Sequence, residues 1–201
     1  MSHFTGTPKT GQLDGKSRKY YFHQPLRTDS VPNVPEKLKP HAWDIKALLP
    51  SHHFDFEVHF SNLTQDELEL LMYALVLEEE CQSVIGDEKL KLSGPLRHKI
   101  GNAKPLGLGS CHITINKLVY LADPKQRFLS LQQSGDVVYE ENPLKEEISN
   151  LTSRYPADIS ETMQQLRKML IWDINDSRDF AYPDYYWFQN PVNSQKILKK
   201  I

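Results

Sequence analysis

Residues 53–79 read HFDFEVHFSNLTQDELELLMYALVLEE, and the reading of this stretch decides the fold. In its first eight residues the apolar side chains Phe54, Phe56, Val58 and Phe60 alternate with His53, Asp55, Glu57 and His59. A period of two predicts a strand with one covered face. Thr64-Gln65-Asp66-Glu67 then has the spacing of a capping box, in which the threonine hydroxyl and the glutamate carboxylate satisfy backbone N–H groups that a helix start leaves open. Leu68, Leu71, Met72, Leu75 and Val76 follow at helical spacing. A strand leading through a short turn into a capped helix indicates an α+β chain.

Downstream, residues 91–115 read KLSGPLRHKIGNAKPLGLGSCHITI, with glycines at 94, 101, 107 and 109 and the cations Arg97, His98, Lys99 and Lys104 among them. The segment ends in an alternating run, Cys111, Ile113 and Ile115 against His112, Thr114 and Asn116, continuing to Tyr120. The spacing therefore predicts a glycine-rich loop between helix and strand. Further short strands are expected at Phe128–Leu131 and Asp136–Tyr139, and a helix from about Ser160 to Ile171 with Met163, Leu166, Met169 and Leu170 on one side. The aromatic segment from Phe180 to Asn190 is expected to pin the chain's end onto the core. Residues 1–50 carry prolines at 8, 25, 32, 35, 40 and 50 and read as an irregular region lying on a main domain of residues 51–201. Within the irregular region Arg18–His23 is a short strand candidate.

The formal net charge of −2 gives the chain no overall attraction to a polyanion. Its distribution is uneven: Asp66, Glu67, Glu69, Glu78, Glu79 and Glu80 precede a basic block of Lys89, Lys91, Arg97, Lys99 and Lys104. Cys81 and Cys111 make neither a disulfide framework nor a CxxC pair, which fits free thiols in a reducing compartment. The start of the chain has no apolar run behind a basic region, and no stretch approaches the roughly 18 apolar residues of a membrane helix. A cytoplasmic protein without a membrane partner is expected.

The chemistry open to these residues is narrow. Gly101–Gly109 has no lysine followed by Ser or Thr where a phosphate-binding P-loop needs one. Gly107-Leu108-Gly109 runs into a strand instead of opening a helix, so a dinucleotide fingerprint fails too. Two readings stay open on physical grounds: a strained turn at a sheet edge, or a loop whose glycines allow close approach of a phosphate backbone while its cations neutralise it. His53, Asp55, Glu57 and His59 share one face, but same-face neighbours about 7 Å apart lack a compact ligand spacing, and no metal or cofactor is expected. Three glutamates precede Cys81 and should raise its thiol pKa. No GxSxG elbow or triad order is present, and no catalytic residue is assigned. His98 between Arg97 and Lys99 is the one histidine singled out as a candidate for proton transfer at a phosphodiester or 2′-hydroxyl, with phosphate contact or plain loop exposure as the readings expected ahead of it.

GPLRHKIGNAKPLGLGSCHI (94–113) resembles the glycine-rich signature of the RAMP superfamily, the RRM-like RNA-binding proteins of CRISPR systems. FDFEVHFSNLTQDELELLMYAL (54–75) looks like that superfamily's strand and helix start, and DGKSRKYYFHQ (14–24) and YPDYYWF (182–188) are similar to one branch of type III effector RAMPs. The resemblance implies a ferredoxin-like, RRM-like antiparallel sheet with helices packed on one face and long irregular insertions. It also implies a guide-RNA-binding structural subunit of a type III CRISPR ribonucleoprotein, whose partners are crRNA, target RNA and the other effector subunits. Arg97, His98, Lys99, Gly101, Lys104, Gly107 and Gly109 would lie against the guide, and Lys16, Arg18, Lys19 and His23 would form a second contact set. Endoribonuclease action and a purely protein-contacting accessory role are the alternatives. The chain departs from the pattern in carrying Asn102-Ala103-Lys104 where the loop commonly pairs glycine with lysine, and in being shorter than many relatives of that branch.

Overall fold

A computed structural model of the protein describes residues 4–5, 12–13, 20–25, 36–41, 46–85, 90–121, 125–129, 135–178 and 185–193. In chain order these contain β1 (Phe4–Thr5), β2 (Gln12–Leu13), α1 (Gln65–Val76), β3 (Cys81–Ile85), β4 (Leu90–Gly94), β5 (His98–Lys99), β6 (Ser110–Cys111), β7 (Leu118–Leu121), α2 (Gln126–Leu129), β8 (Asp136–Tyr139), α3 (Glu141–Thr152), α4 (Glu161–Leu170) and α5 (Tyr185–Gln189). Short 3₁₀ turns occur at Glu36–His41, Lys104–Leu106 and Pro191–Asn193. The strands form antiparallel pairs, β1 with β2, β3 with β4, β5 with β6 and β7 with β8. The chain is thus a mixed α+β protein built on small antiparallel sheets. Among the described residues no helix is long and apolar enough to cross a membrane.

The capping box at the start of α1 is formed as its sequence predicts. The Thr64 N–H donates to the Glu67 carboxylate at 2.8 Å, and the Glu67 N–H donates to Thr64 Oγ1 at 3.4 Å. The helix stops at Val76, inside the apolar run, because Leu77 takes a left-handed φ of 56° that redirects the chain. Glu78 fixes this exit. Its buried carboxylate accepts from the Tyr73 hydroxyl at 2.7 Å and from Arg167 Nε at 3.0 Å. Arg167 in turn donates to the carbonyls of Tyr155 and Asp158, so the end of α1, the turn after α3, and α4 meet at one buried ion pair.

Three apolar clusters surround this node. Met72 of α1 packs with Leu144 and Leu151 of α3 and Leu118 of β7, and Phe60, Ile115, Tyr120 and Tyr139 close around them. Tyr73, one residue on, stacks on Tyr155 with ring centroids 4.3 Å apart, beside Met163 of α4. Cys81, Leu92, Leu96 and Ile171 form the third cluster, where α4 covers the β3–β4 hairpin. Pro95–Arg97 runs alongside the end of α4: the Arg97 N–H donates to the Leu170 carbonyl and the Trp172 N–H to that of Pro95, each at 2.8 Å.

Several expectations need correction. Residues 53–60 form no ladder, and Phe54, Phe56 and Val58 are 71%, 62% and 43% exposed. The alternation was that of a half-covered strand, yet the helices reach only Phe60. Residues 112–117 lie outside any ladder as well, although their burial alternates as expected, with Ile113 and Ile115 half-buried and His112, Thr114 and Asn116 exposed. At Phe128 a helical turn, α2, replaces the expected strand, an ambiguity inherent in short apolar runs. Tyr20–Pro25 is described and contains no strand. The Asp136–Tyr139 strand and the 160–171 helix are present, the latter with Ser160 as its N-cap. The β3–β4 hairpin and α3 were not foreseen, although Leu144, Ile148 and Leu151 stand at helical spacing.

Candidate nucleic-acid interface

The glycine-rich loop stands on the β5–β6 pair, in which His98 faces Cys111 and Lys99 faces Ser110. The Ile100 N–H adds a further rung by donating to the Gly109 carbonyl at 2.8 Å. Between them the chain uses left-handed backbone at Gly101, Ala103, Gly107 and Gly109, with φ of 77°, 56°, 89° and 85°. Gly109 has a second constraint, since a Cβ there would run into the Ile100 carbonyl oxygen. Ala103 holds its left-handed conformation without glycine's freedom and starts the 3₁₀ turn Lys104–Leu106, which Gly107 closes by donating to the Lys104 carbonyl at 3.1 Å.

The four predicted cations separate into two kinds. Arg97 is neutralised within the chain: its two terminal nitrogens donate to the two oxygens of Glu79 at 3.0 and 2.8 Å, a bidentate pair. These bonds hold the Glu79 carboxyl below the usual carboxylate range, helped by His112 Nε2 at 3.0 Å. His98 is spent on architecture, its Nε2–H donating to the carbonyl of Leu75 on α1 at 3.0 Å. Lys99 and Lys104 are different. Both are half-buried on the loop, and neither meets a carboxylate among the described residues. Lys99 Nζ donates to the Gly107 carbonyl at 3.1 Å, and burial, followed by the charge of Lys104, brings its pKa down to about 8.

His23 lies beneath this loop instead of on its surface. It is 2% exposed, its Nε2–H donates to the Arg97 carbonyl at 3.0 Å, and its Nδ1 accepts from the Ser110 hydroxyl at 2.7 Å. Any effect of this histidine on a bound polyanion would be indirect. Its neighbour Phe22 carries the Arg178 guanidinium 5.5 Å from its ring centroid, a second tie on the same segment. Lys16, Arg18 and Lys19 lie outside the described residues. Ser110 and Glu79 were missed by sequence reasoning, because nothing in their spacing ties them to His23 or Arg97, 87 and 18 residues away.

Elsewhere, His53, Asp55, Glu57 and His59 are all exposed, and only His59 and Glu57 approach, at 3.3 Å. Among the described residues no three His, Cys, Asp or Glu side chains converge as a metal site would need. Burial, with Glu78 as a second cause, pushes the Cys81 thiol up to about 11, an inert thiol as its glutamate neighbours suggest. Comparison with protein-family models, curated proteins and solved structures finds no match.

Proposed function

We propose that this chain is a guide-RNA-binding structural subunit of a type III CRISPR ribonucleoprotein that recognises target RNA. The observation that carries the reading is the Lys99–Lys104 pair. Two half-buried like charges, close enough for one to depress the other's pKa and without a balancing carboxylate among the described residues, are a standing cost that a phosphate backbone would remove. Left-handed positions on the same loop leave its backbone open to close approach. Contacts of this kind set register and do not read sequence.

The finer fold reading belongs to the same proposal. The segment 53–60, α1, the segment 112–117 leading into β7, β8 and α3 follow the first five elements of the β-α-β-β-α-β order of a ferredoxin-like, RRM-like unit, with β3–β6 as an insertion after α1. Phe60 and Ile115 packing onto the cluster shared by α1 and α3 supports it. The uncovered Phe54, Phe56 and Val58 favour protein neighbours, as membership of a multi-subunit effector requires.

The test is a salt titration of binding to processed guide RNA. Lys99→Gln/Lys104→Gln should weaken binding and reduce the slope of log K against log salt by roughly 0.7 per lost contact to a single strand. Arg97→Gln should change the slope less, because its charge is already committed to Glu79. An unaltered slope in the double lysine variant overturns the reading.

A further inference from the structure

We infer that His23 is a positioning residue for the glycine-rich loop, a neutral buried strut that fastens residues 20–25 under the β5–β6 pair and lets go of it in acid. The inference rests on the proposed RNA grip for its consequence, but its geometry stands alone. Both ring nitrogens are engaged, and the two groups they engage are the Arg97 carbonyl, one residue before β5, and the Ser110 hydroxyl, the first residue of β6. Ser110 faces Lys99 in the β5–β6 register, so the strut touches the rung that carries one of the loop's two lysines. The interaction bridges 87 residues of sequence, joining the chain's early segment to the loop.

The hydrogen-bond roles make this strut sensitive to charge. A carbonyl cannot donate, so Nε2 must carry the ring proton and Nδ1 must be the acceptor of the Ser110 O–H. A second proton would go to Nδ1, where it meets the serine hydroxyl as a competing donor and ends that bond in its present sense. Among the described residues, the titratable groups that act on the ring give no help to a positive charge. Lys99, Arg97 and His98 all oppose it, the Ser110 side brings only a hydroxyl, and the Glu79 carboxylate beside the Arg97 side chain is shared between Arg97 and His112. Burial is the larger obstacle, and together these causes lower the His23 pKa to about 4. The ring therefore stays neutral at physiological pH while it is docked. An undocked ring takes its proton near pH 6.5, so acid favours release.

The strut has a signature that separates it from a direct contact. His23→Ala should raise hydrogen exchange of the amides around Lys99 and Ser110 by tenfold or more at pH 7 and weaken guide-RNA binding several-fold. The salt slope should stay at its wild-type value, since no phosphate contact is removed. Ser110→Ala removes only the Nδ1 bond, leaves no large cavity, and should give a smaller change of the same sign. In the wild type, the His23 ring followed by NMR should show the Nε2–H form and titrate near 4, and exchange around Ser110, corrected for intrinsic rate, should rise as pH falls below about 6. A ring titrating near 6.5 in the folded protein, or exchange unmoved in both variants, overturns the inference. A reduced salt slope in His23→Ala would make the residue a phosphate contact and overturn it too. If the wild type binds no guide RNA, the function proposed above fails while exchange and ring titration still decide on the strut.

Discussion

Lys99 and Gly109 illustrate how much depends on single atoms. With a pKa of about 8 in the folded protein and 10.5 when exposed, Lys99 begins to lose its charge just above neutrality. Affinity for RNA should therefore fall between pH 7 and 9 in the wild type and stay flat in Lys99→Arg, because guanidinium keeps its charge throughout; filter binding at fixed ionic strength checks this. At Gly109 a side chain meets both a left-handed φ and the Ile100 carbonyl, whereas Gly101 has open space around it and only its φ to satisfy. Gly109→Ala is expected to cost about 1–3 kcal/mol and Gly101→Ala about 1, read by urea unfolding. For His23 the sign follows from its depressed pKa. Between about 4 and 6.5 the unfolded chain binds the proton that the folded chain refuses, so stability declines as pH falls through that window and is fully present above it. His23→Gln should flatten that decline in a pH series of urea unfolding.

At the level of elements, α3 is the piece on which the largest cluster depends. Leu144 and Leu151 meet Met72 of α1 and Leu118 of β7, and truncating either to alanine should cost about 2–5 kcal/mol in equilibrium unfolding. The sequence also shows why some elements were legible and others not. The 65–76 and 161–170 helices have both a start signal and a periodic stripe, and the start of each was foreseen to within a residue or two. α3 has the stripe but begins at Glu141 with a positive φ and no side-chain cap, so its start lacks the capping signal that marks the other two. Residues 53–60 fail in the opposite way. Their alternation announces a covered face, but covering is decided by how far distant helices extend, which no local pattern records. The loop's glycines and lysines were legible because conformation and charge are properties of the residues themselves. The Arg97–Glu79 pair was not, being a product of where α1 happens to end.

At the scale of the molecule, the Glu78–Arg167 pair is a point where several described elements are tied together. It lies at the junction of α1, α4 and the turn after α3, and Arg167 holds carbonyls of Tyr155, Pro156 and Asp158 besides its carboxylate. Arg167→Met would leave Glu78 buried without its cation and is expected to cost about 3–5 kcal/mol in denaturant unfolding, with a smaller loss in a Glu78→Gln/Arg167→Met double variant. Arg97 presents the contrasting case. It links three distant parts of the chain, but the links to His23 and Leu170 are made by its carbonyl and its amide, and only the exposed link to Glu79 uses the side chain. Main-chain atoms are common to every residue type. A deep mutational scan read by protein abundance should accordingly find position 97 permissive to almost every replacement and intolerant of proline, whose ring removes the amide hydrogen.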